Sequence, residues 1–340
     1  MTASRPFVLS GDRLHLPVWP NGDYHTAAMA HDRISVPVSP AFWLAFHTHP
    51  GEAAPQIEQV LRQIVPVFMA LAFVGQGVAA SHEKSAPDDI VTEVDLGLEG
   101  LFRLWISTHF PKDYIIGEEG NYAGMSVTAT PAVWIIDPID GTSNYSEGSP
   151  NVVIQLCRLK NGEPDLAVMG FPFYGVLETA SFGGSVEMLK RWRGPVPVAD
   201  AYCIATEYRD DRKNEDDTFL AMCDILAGTP YRLKSIGVTI YTLLYHVDFV
   251  FYKPRIKVWD MYPPLALLRL RGVPVDMSLY VFDGSGYRWV DPFSRTAYDL
   301  LWRALENEGR IGHVLLVPSG EKSQSKTVIL KEKLACMSLS

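Results

Sequence analysis

Asp137 and Asp140 stand three residues apart in Trp134-Ile-Ile-Asp137-Pro-Ile-Asp140-Gly-Thr-Ser-Asn-Tyr145, after an apolar run that reads as a strand over 132–136. Pro138 has no N–H to give to a ladder, so the strand is expected to break there. Gly141 and Thr142 follow, where a flexible backbone can turn its N–H groups toward an anion. Carboxylates beside an anion-binding turn make chemical sense when a divalent cation lies between them and a phosphate. An Asp-Gly turn closing a buried strand accounts for two of these residues, but not for the whole octet Asp137-Pro-Ile-Asp-Gly-Thr-Ser-Asn144.

Glu118, Asp137, Asp140 and Asp260 are the candidate metal-ligating acids. Carboxylates converging in one pocket repel and raise one another's pKa unless cations neutralise them. Magnesium takes oxygen ligands in near-octahedral geometry and keeps some waters, which suits such a set, and Mn2+ accepts similar ligands. Singly, each acid has an ordinary use. Asp95 and Asp260 precede apolar helical patterns and read as N-caps, while Glu118-Glu119 reads as a solvated corner.

The octet resembles the signature of the inositol monophosphatase superfamily of magnesium-dependent, lithium-sensitive phosphomonoesterases. That superfamily includes fructose-1,6-bisphosphatases and 3'-phosphoadenosine-phosphate phosphatases. Three further segments fit in order: Lys84-Ser-Ala-Pro-Asp-Asp-Ile-Val-Thr-Glu-Val-Asp95, Ile116-Gly-Glu118-Glu119-Gly120 and Trp259-Asp260. The resemblance spans residues 55 to 275 and is stronger in its first half.

It implies a layered α-β-α-β-α sandwich and two or three Mg2+ ions. One ion would be held by Glu118, Asp137 and the Ile139 carbonyl, a second by Asp137, Asp140 and Asp260, and a third, weaker one near Glu118. Water would attack directly, with Thr142 and Asp95 activating it and Glu118 assisting. Gly141, Thr142 and Ser143 would hold the phosphate, and Asp140 and Asp260 would contact substrate. Glu119 and Lys84 would orient these groups from behind, although Lys84 reads equally well as an exposed loop lysine. A homodimer is implied as well.

The second half departs from the family pattern. Where the family carries a Glu before the second Trp-Asp, Phe249-Val-Phe-Tyr252-Lys253-Pro254 offers a phenol or a cation, favouring a more anionic or differently shaped substrate. Met261-Tyr-Pro-Pro264 and Arg271-Gly-Val-Pro274 replace small residues and a Gly-Gly turn. The leading reading is a Mg2+-dependent phosphomonoesterase of a small phosphorylated polyol, sugar or related metabolite. The alternative is a bisphosphate phosphatase, acting on fructose 1,6-bisphosphate or 3'-phosphoadenosine 5'-phosphate, for which Lys253, Arg255 and Lys257 offer charge. A catalytically silent ligand-binding or assembly homologue is the reading of another class.

Helical spacing of Ile57, Val60, Leu61, Ile64, Phe68 and Leu71 predicts a helix over 56–80, which Pro66 should kink or split. A second amphipathic helix is expected over 95–109. Strands are expected over 132–136, 151–159 and 165–171, the last two joined by an Asn161-Gly162 hairpin turn. Beyond Arg193-Gly-Pro-Val-Pro197, helices are expected over 213–227, 237–246 and 260–271, and strands over 201–206, 231–235 and 248–252. The pattern is α/β to α+β. The expected units are an N-terminal extension (1–52), a metal-site domain (53–195), a second α/β domain completing the site (196–330) and a tail (331–340). His47 and His49 in the extension read as a surface loop, with no third ligand nearby.

The 340 residues can bury a sizeable core, and 47% hydrophobic with 20% charged residues is ordinary for a globular chain. A net charge of −9 argues against a nucleic-acid surface. Four cysteines, at 157, 203, 223 and 336, show no Cys-x-x-Cys spacing, which predicts reduced thiols and no zinc. With no signal-like segment and no stretch expected to span a membrane, a cytoplasmic location is expected.

Overall fold

The computed structural model describes residues 8–10, 12–16, 34–79, 81–83, 90–120, 132–185, 203–205, 229–231, 233–242, 249–306, 309–319, 328 and 331–332. The first half comprises β1 (Val8–Ser10), β2 (Arg13–His15), β3 (Ser35–Pro37), α1 (Pro40–His47), α2 (Ala54–Gly75), β4 (Ser81–Glu83), β5 (Ile90–Thr92) and α3 (Glu93–His109). There follow β6 (Tyr114–Gly117), β7 (Val133–Asp140), α4 (Thr142–Ser146), β8 (Val153–Lys160), β9 (Glu163–Phe171) and β10 (Val176–Ser181). The second half comprises β11 (Cys203–Ala205), β12 (Thr229–Tyr231), α5 (Ile236–Thr242), β13 (Phe249–Lys257), α6 (Val258–Leu270), β14 (Val275–Phe282), β15 (Tyr287–Val290), α7 (Arg295–Leu305) and β16 (Arg310–Pro318).

Two mixed sheets organise the molecule, one in the order β10-β9-β8-β7-β6 and the other in the order β12-β11-β13-β16-β14-β15. Strand β7 is buried along its whole length, and its alternation assigns each residue to one of two cores. Trp134 and Ile136 face the core shared with α2, α3 and the N-terminal β1–β3 and α1 segment. Val133 and Ile135 face the core shared with α5, α6, α7 and the six-stranded sheet. The described layers therefore run helix, sheet, helix, sheet. The helix expected over 213–227 lies outside the described residues, as does the boundary near 195.

Three expectations are corrected, and for Pro66 one of the two expected outcomes is removed. Strand β7 does not end at Pro138. It resumes pairing at Asp140, opposite Val153, after a register irregularity that follows Asp137. Pro66 does not split α2, whose buried Ile64, Val65, Phe68 and Met69 flank it on the core side. Packing there outweighs the cost of an interior proline, about 3 kcal/mol. Contrary to the expected absence of any span-like stretch, α2 is long and apolar enough to cross a membrane by length and composition alone. In this fold it spends its apolar face on the core and buries Glu58 against Arg62, Thr179 and Ser181. The strand expected over 231–235 is instead β12 at Thr229–Tyr231, because 235 begins the turn into α5.

The hairpin between β8 and β9 turns at Asn161 and Gly162, both with positive φ (55° and 87°).

Candidate active site

The turn that follows β7 is fixed by Gly141. Its φ of 93° suits glycine, and a Cβ there would meet the Asn151 carbonyl at 2.9 Å. Asn144 then ties α4 to the second half: its Nδ2 lies 2.7 Å from the Asn151 carbonyl and 2.6 Å from that of Leu233. Tyr145 ties the same helix to α2 by donating to the Ala72 carbonyl at 2.6 Å. The last two residues of the motif are therefore structural staples.

Asp137, Asp140 and Asp260 each offer an oxygen, and these oxygens lie within 4.8 Å of one another. Among the described residues, the buried Asp137 Oδ1 has no hydrogen-bond partner. Burial pushes the Asp137 carboxyl well above the usual carboxylate range, and the charges of Glu118, Asp140, Asp260 and Asp95 push it further. Burial and the charge of Asp260 raise Asp140 to about 8, against donors from Ser235, Gly237 and Ile236. Burial raises Asp260 to about 6, with Lys257 opposing. Two buried acids and a third partly buried one that cannot all ionise comfortably, one of them with an unpartnered oxygen, fit a hard divalent cation.

Asp140 receives Ser235 Oγ at 2.7 Å, the Ile236 N–H at 3.2 Å and the Gly237 N–H at 2.5 Å. A first-half carboxylate thus satisfies the start of a second-half helix. Asp95 is not the N-cap of α3, because Thr92 is. Asp95 occupies the third position of a capping box, its Oδ2 accepting the Thr92 N–H at 2.9 Å. Its Oδ1 faces Thr142 Oγ1 at 3.3 Å, and the same hydroxyl lies 3.0 Å from the Ile139 carbonyl. Asp260 is likewise not the N-cap of α6. Lys257 holds that position, and Asp260 sits in the first turn.

Glu118 follows β6 directly, its N–H donating to the Ile136 carbonyl at 3.2 Å. Its carboxylate lies 3.6 Å from Lys257 Nζ. Glu119 donates its backbone N–H to Glu99 Oε2 at 2.9 Å. Ser143 lies in the first turn of α4, and Lys253 lies on β13, close enough for its charge to act on Asp260. Lys84, Pro87, Asp88 and Asp89 are outside the described residues.

Three contributors escape sequence reasoning, and a fourth, Lys257, is read from sequence for a different role. Ser235, in Ser-Ile-Gly before an apolar run, carries an N-cap signal but nothing that links it to Asp140. Glu99 lies four residues after Asp95 on the same helix face, and that spacing is readable. Gln155 stands opposite Asp137 in the β7–β8 register, its Nε2 3.3 Å from the Trp259 carbonyl and 3.5 Å from Asp137 Oδ2. The sequence offers Lys257 as charge for a second phosphate, whereas the structure sets it beside Glu118.

Residues 55–284 match the model of the inositol monophosphatase family. The "Probable inositol 1-monophosphatase ImpA" of Mycobacterium tuberculosis is 31% identical over 256 residues, covering 72% of this chain and 88% of that protein. The "Quinic acid degradation cluster protein x" of Neurospora crassa is 34% identical over 149 residues, covering 40% of this chain and 44% of that protein. Among solved structures, staphylococcal IMPase-I complexed with products superposes with a TM-score of 0.60 at 17% identity, covering 82% of this chain and 96% of the other. An IMPase/NADP phosphatase complexed with Mg2+ and phosphate gives 0.60 at 17% identity, with 82% and 95% coverage. At these identities the structural likeness speaks for the layered fold.

Proposed function

We propose, for a chain that belongs to the inositol monophosphatase family of phosphomonoesterases, that it hydrolyses the phosphate ester of a small polyol, sugar or related metabolite with divalent-cation dependence. The observation that carries this reading is the convergence of Asp137, Asp140 and Asp260, with one buried Asp137 oxygen left without a hydrogen-bond partner among the described residues. These three acids, with the Ile139 carbonyl, are the groups that would hold Mg2+, and Glu118 is a further acid whose charge acts on Asp137 and Asp260. Bound there, such an ion would supply positive charge to the phosphoryl oxygens and ease deprotonation of water.

The remaining work falls to this chain's own side chains. Thr142 Oγ1 is within reach of Asp95 Oδ1 and stands at the start of α4. From there the hydroxyl can accept a hydrogen bond from an attacking water while its own proton points to Asp95. The Gly141–Thr142 turn offers backbone N–H groups to the phosphate. Burial of Asp137 and Asp140 keeps bulk water from screening the developing charge.

A second reading, a substrate with another anionic group, is favoured by the charges of Lys253, Lys257 and Arg310, all of which act on Asp260. Phosphate release with Mg2+ across inositol phosphates, sugar phosphates, fructose 1,6-bisphosphate, nucleoside monophosphates and 3'-phosphoadenosine 5'-phosphate tests both, with Asp137→Asn as the blank. Release that needs the metal and vanishes in the variant supports the hydrolase, and the preferred ester chooses between the readings. Release equal to the blank throughout, with metal still bound, would instead favour a silent ligand-binding homologue.

A further inference from the structure

Glu118 is not one of the three acids whose oxygens converge. Its carboxylate faces Lys257 Nζ at 3.6 Å, and the two side chains are only 13% and 24% exposed, so the pair is largely withdrawn from solvent. Two constraints fix the backbone at Lys257 and a third places its ammonium. Lys257 ends β13 with its Cα paired to Arg310, and it is the N-cap of α6. The next residue, Val258, donates its N–H to the Gly309 carbonyl at 2.9 Å. The ammonium also rests 5.2 Å from the centre of the Trp259 ring, which orients the stem across the aromatic face. A lysine held this way is not a surface charge that drifted toward an acid.

Electrostatically, four carboxylates in one pocket call for more positive charge than three. One covalently tethered charge is already present, on the side where Glu118 stands. We propose that Lys257 is a resident counter-ion of the acid site. Its ammonium holds Glu118 in place of a divalent cation, so the protein loads fewer or weaker divalent ions than its four acids could otherwise take. The acids Asp137, Asp140 and Asp260 then form the principal ion-binding group, and Glu118 is released only if Lys257 gives way.

This inference rests on the divalent-cation reading of the site, but on no choice of substrate. Its test is therefore a metal titration of the full-length protein without any ester, with Mn2+ followed by EPR and calorimetry. Lys257→Met keeps the stem on Trp259 and removes the charge. Its expected result is one additional Mn2+ equivalent, or about tenfold tighter binding, as expected when a nearby unit charge stops opposing a dication. Lys257→Arg keeps the charge and is expected to match the wild type. In a Glu118→Gln background the Lys257→Met gain should disappear, because the partner that the ammonium withholds is gone. A merely structural role for Lys257 would not produce that cancellation.

Unchanged or weaker binding in a folded Lys257→Met protein overturns the proposal, as does an equal gain with and without Glu118. Lys257→Gln repeats the test should the Met variant not fold. Failure of wild-type protein to bind any Mn2+ would instead remove the metal-site reading, which separates the two failures.

Discussion

The two halves of the site carry acids in opposite electrostatic company. In the five-stranded half, Asp137 and Asp140 sit at the end of a fully buried strand, among other acids and backbone donors. In the six-stranded half, Asp260 sits in the first turn of α6, where Lys257, Lys253 and Arg310 all pull its carboxyl down. The first half stores negative charge that burial makes costly, and the second brings positive charge to meet it. Metal chemistry should therefore depend most on the first half, and charge balance and substrate preference on the second.

Asp137→Asn is the largest test of that division. Activity should fall at least about a thousandfold, the scale of losing a principal electrostatic contributor to phosphoryl transfer. The metal-free variant should nevertheless melt higher than the wild type near neutral pH, because a costly buried charge is gone. Steady-state kinetics and calorimetry together check it, and a variant both inactive and less stable would break the comparison.

The pH dependence of metal-free stability is next. A carboxyl whose folded pKa is raised binds its proton more tightly folded than unfolded. Its stabilising contribution is full below the ordinary value of 3.8 and is lost as pH rises through the folded value. The loss should run through about 6 for Asp260 and about 8 for Asp140, so the melting temperature in chelator should decline across that window. Saturating Mg2+ should flatten the decline. A melting temperature that rises with pH over the same range in chelator would contradict the buried-acid account.

The same asymmetry explains what the sequence disclosed. The Asp137-to-Asn144 octet was legible because its chemistry is local: acid, turn and helix start follow one another, and Gly141 must take positive φ. Helices α2 and α3 and the β8–β9 hairpin were legible from periodicity and from Asn161-Gly162. The continuation of β7 past Pro138 was not, because a register irregularity lets the strand resume pairing one turn of the pleat later. The partners of the acids were hidden for a different reason. Ser235 meets Asp140 across 95 positions and Gln155 meets the Trp259 carbonyl across 104, and no local pattern encodes such pairings. Lys257 read as one of several basic residues on a strand, since its ring partner and its acid partner meet only in the folded chain.

Ser235→Ala probes the seam between the halves. It removes the 2.7 Å donor to Asp140 Oδ2 and leaves the Gly237 and Ile236 N–H groups in place. Stability should drop by about 1 kcal/mol, the scale of one buried hydrogen bond. The metal-free Asp140 should titrate higher, having lost one stabiliser of its ionised form. Denaturant melts and a pH series of Mg2+ affinity measure both, and no change in either would mean that the seam is held without Ser235.

Lys253→Met should have the smallest effect and asks the finest question. Lys253 lies on β13 opposite Val314, and its charge acts on Asp260. Removing the charge while keeping the stem should leave kcat within about twofold, because the groups facing the reacting phosphate are untouched. If the basic side of the site recognises a second anionic group, KM should rise about tenfold for esters that carry one and stay constant for those that do not. An equal rise for both kinds of ester would assign Lys253 to the charge balance of the acids alone. The six-stranded half would then serve the metal site and not the substrate, and the division of labour between the halves would fail at the point where it makes its most specific claim.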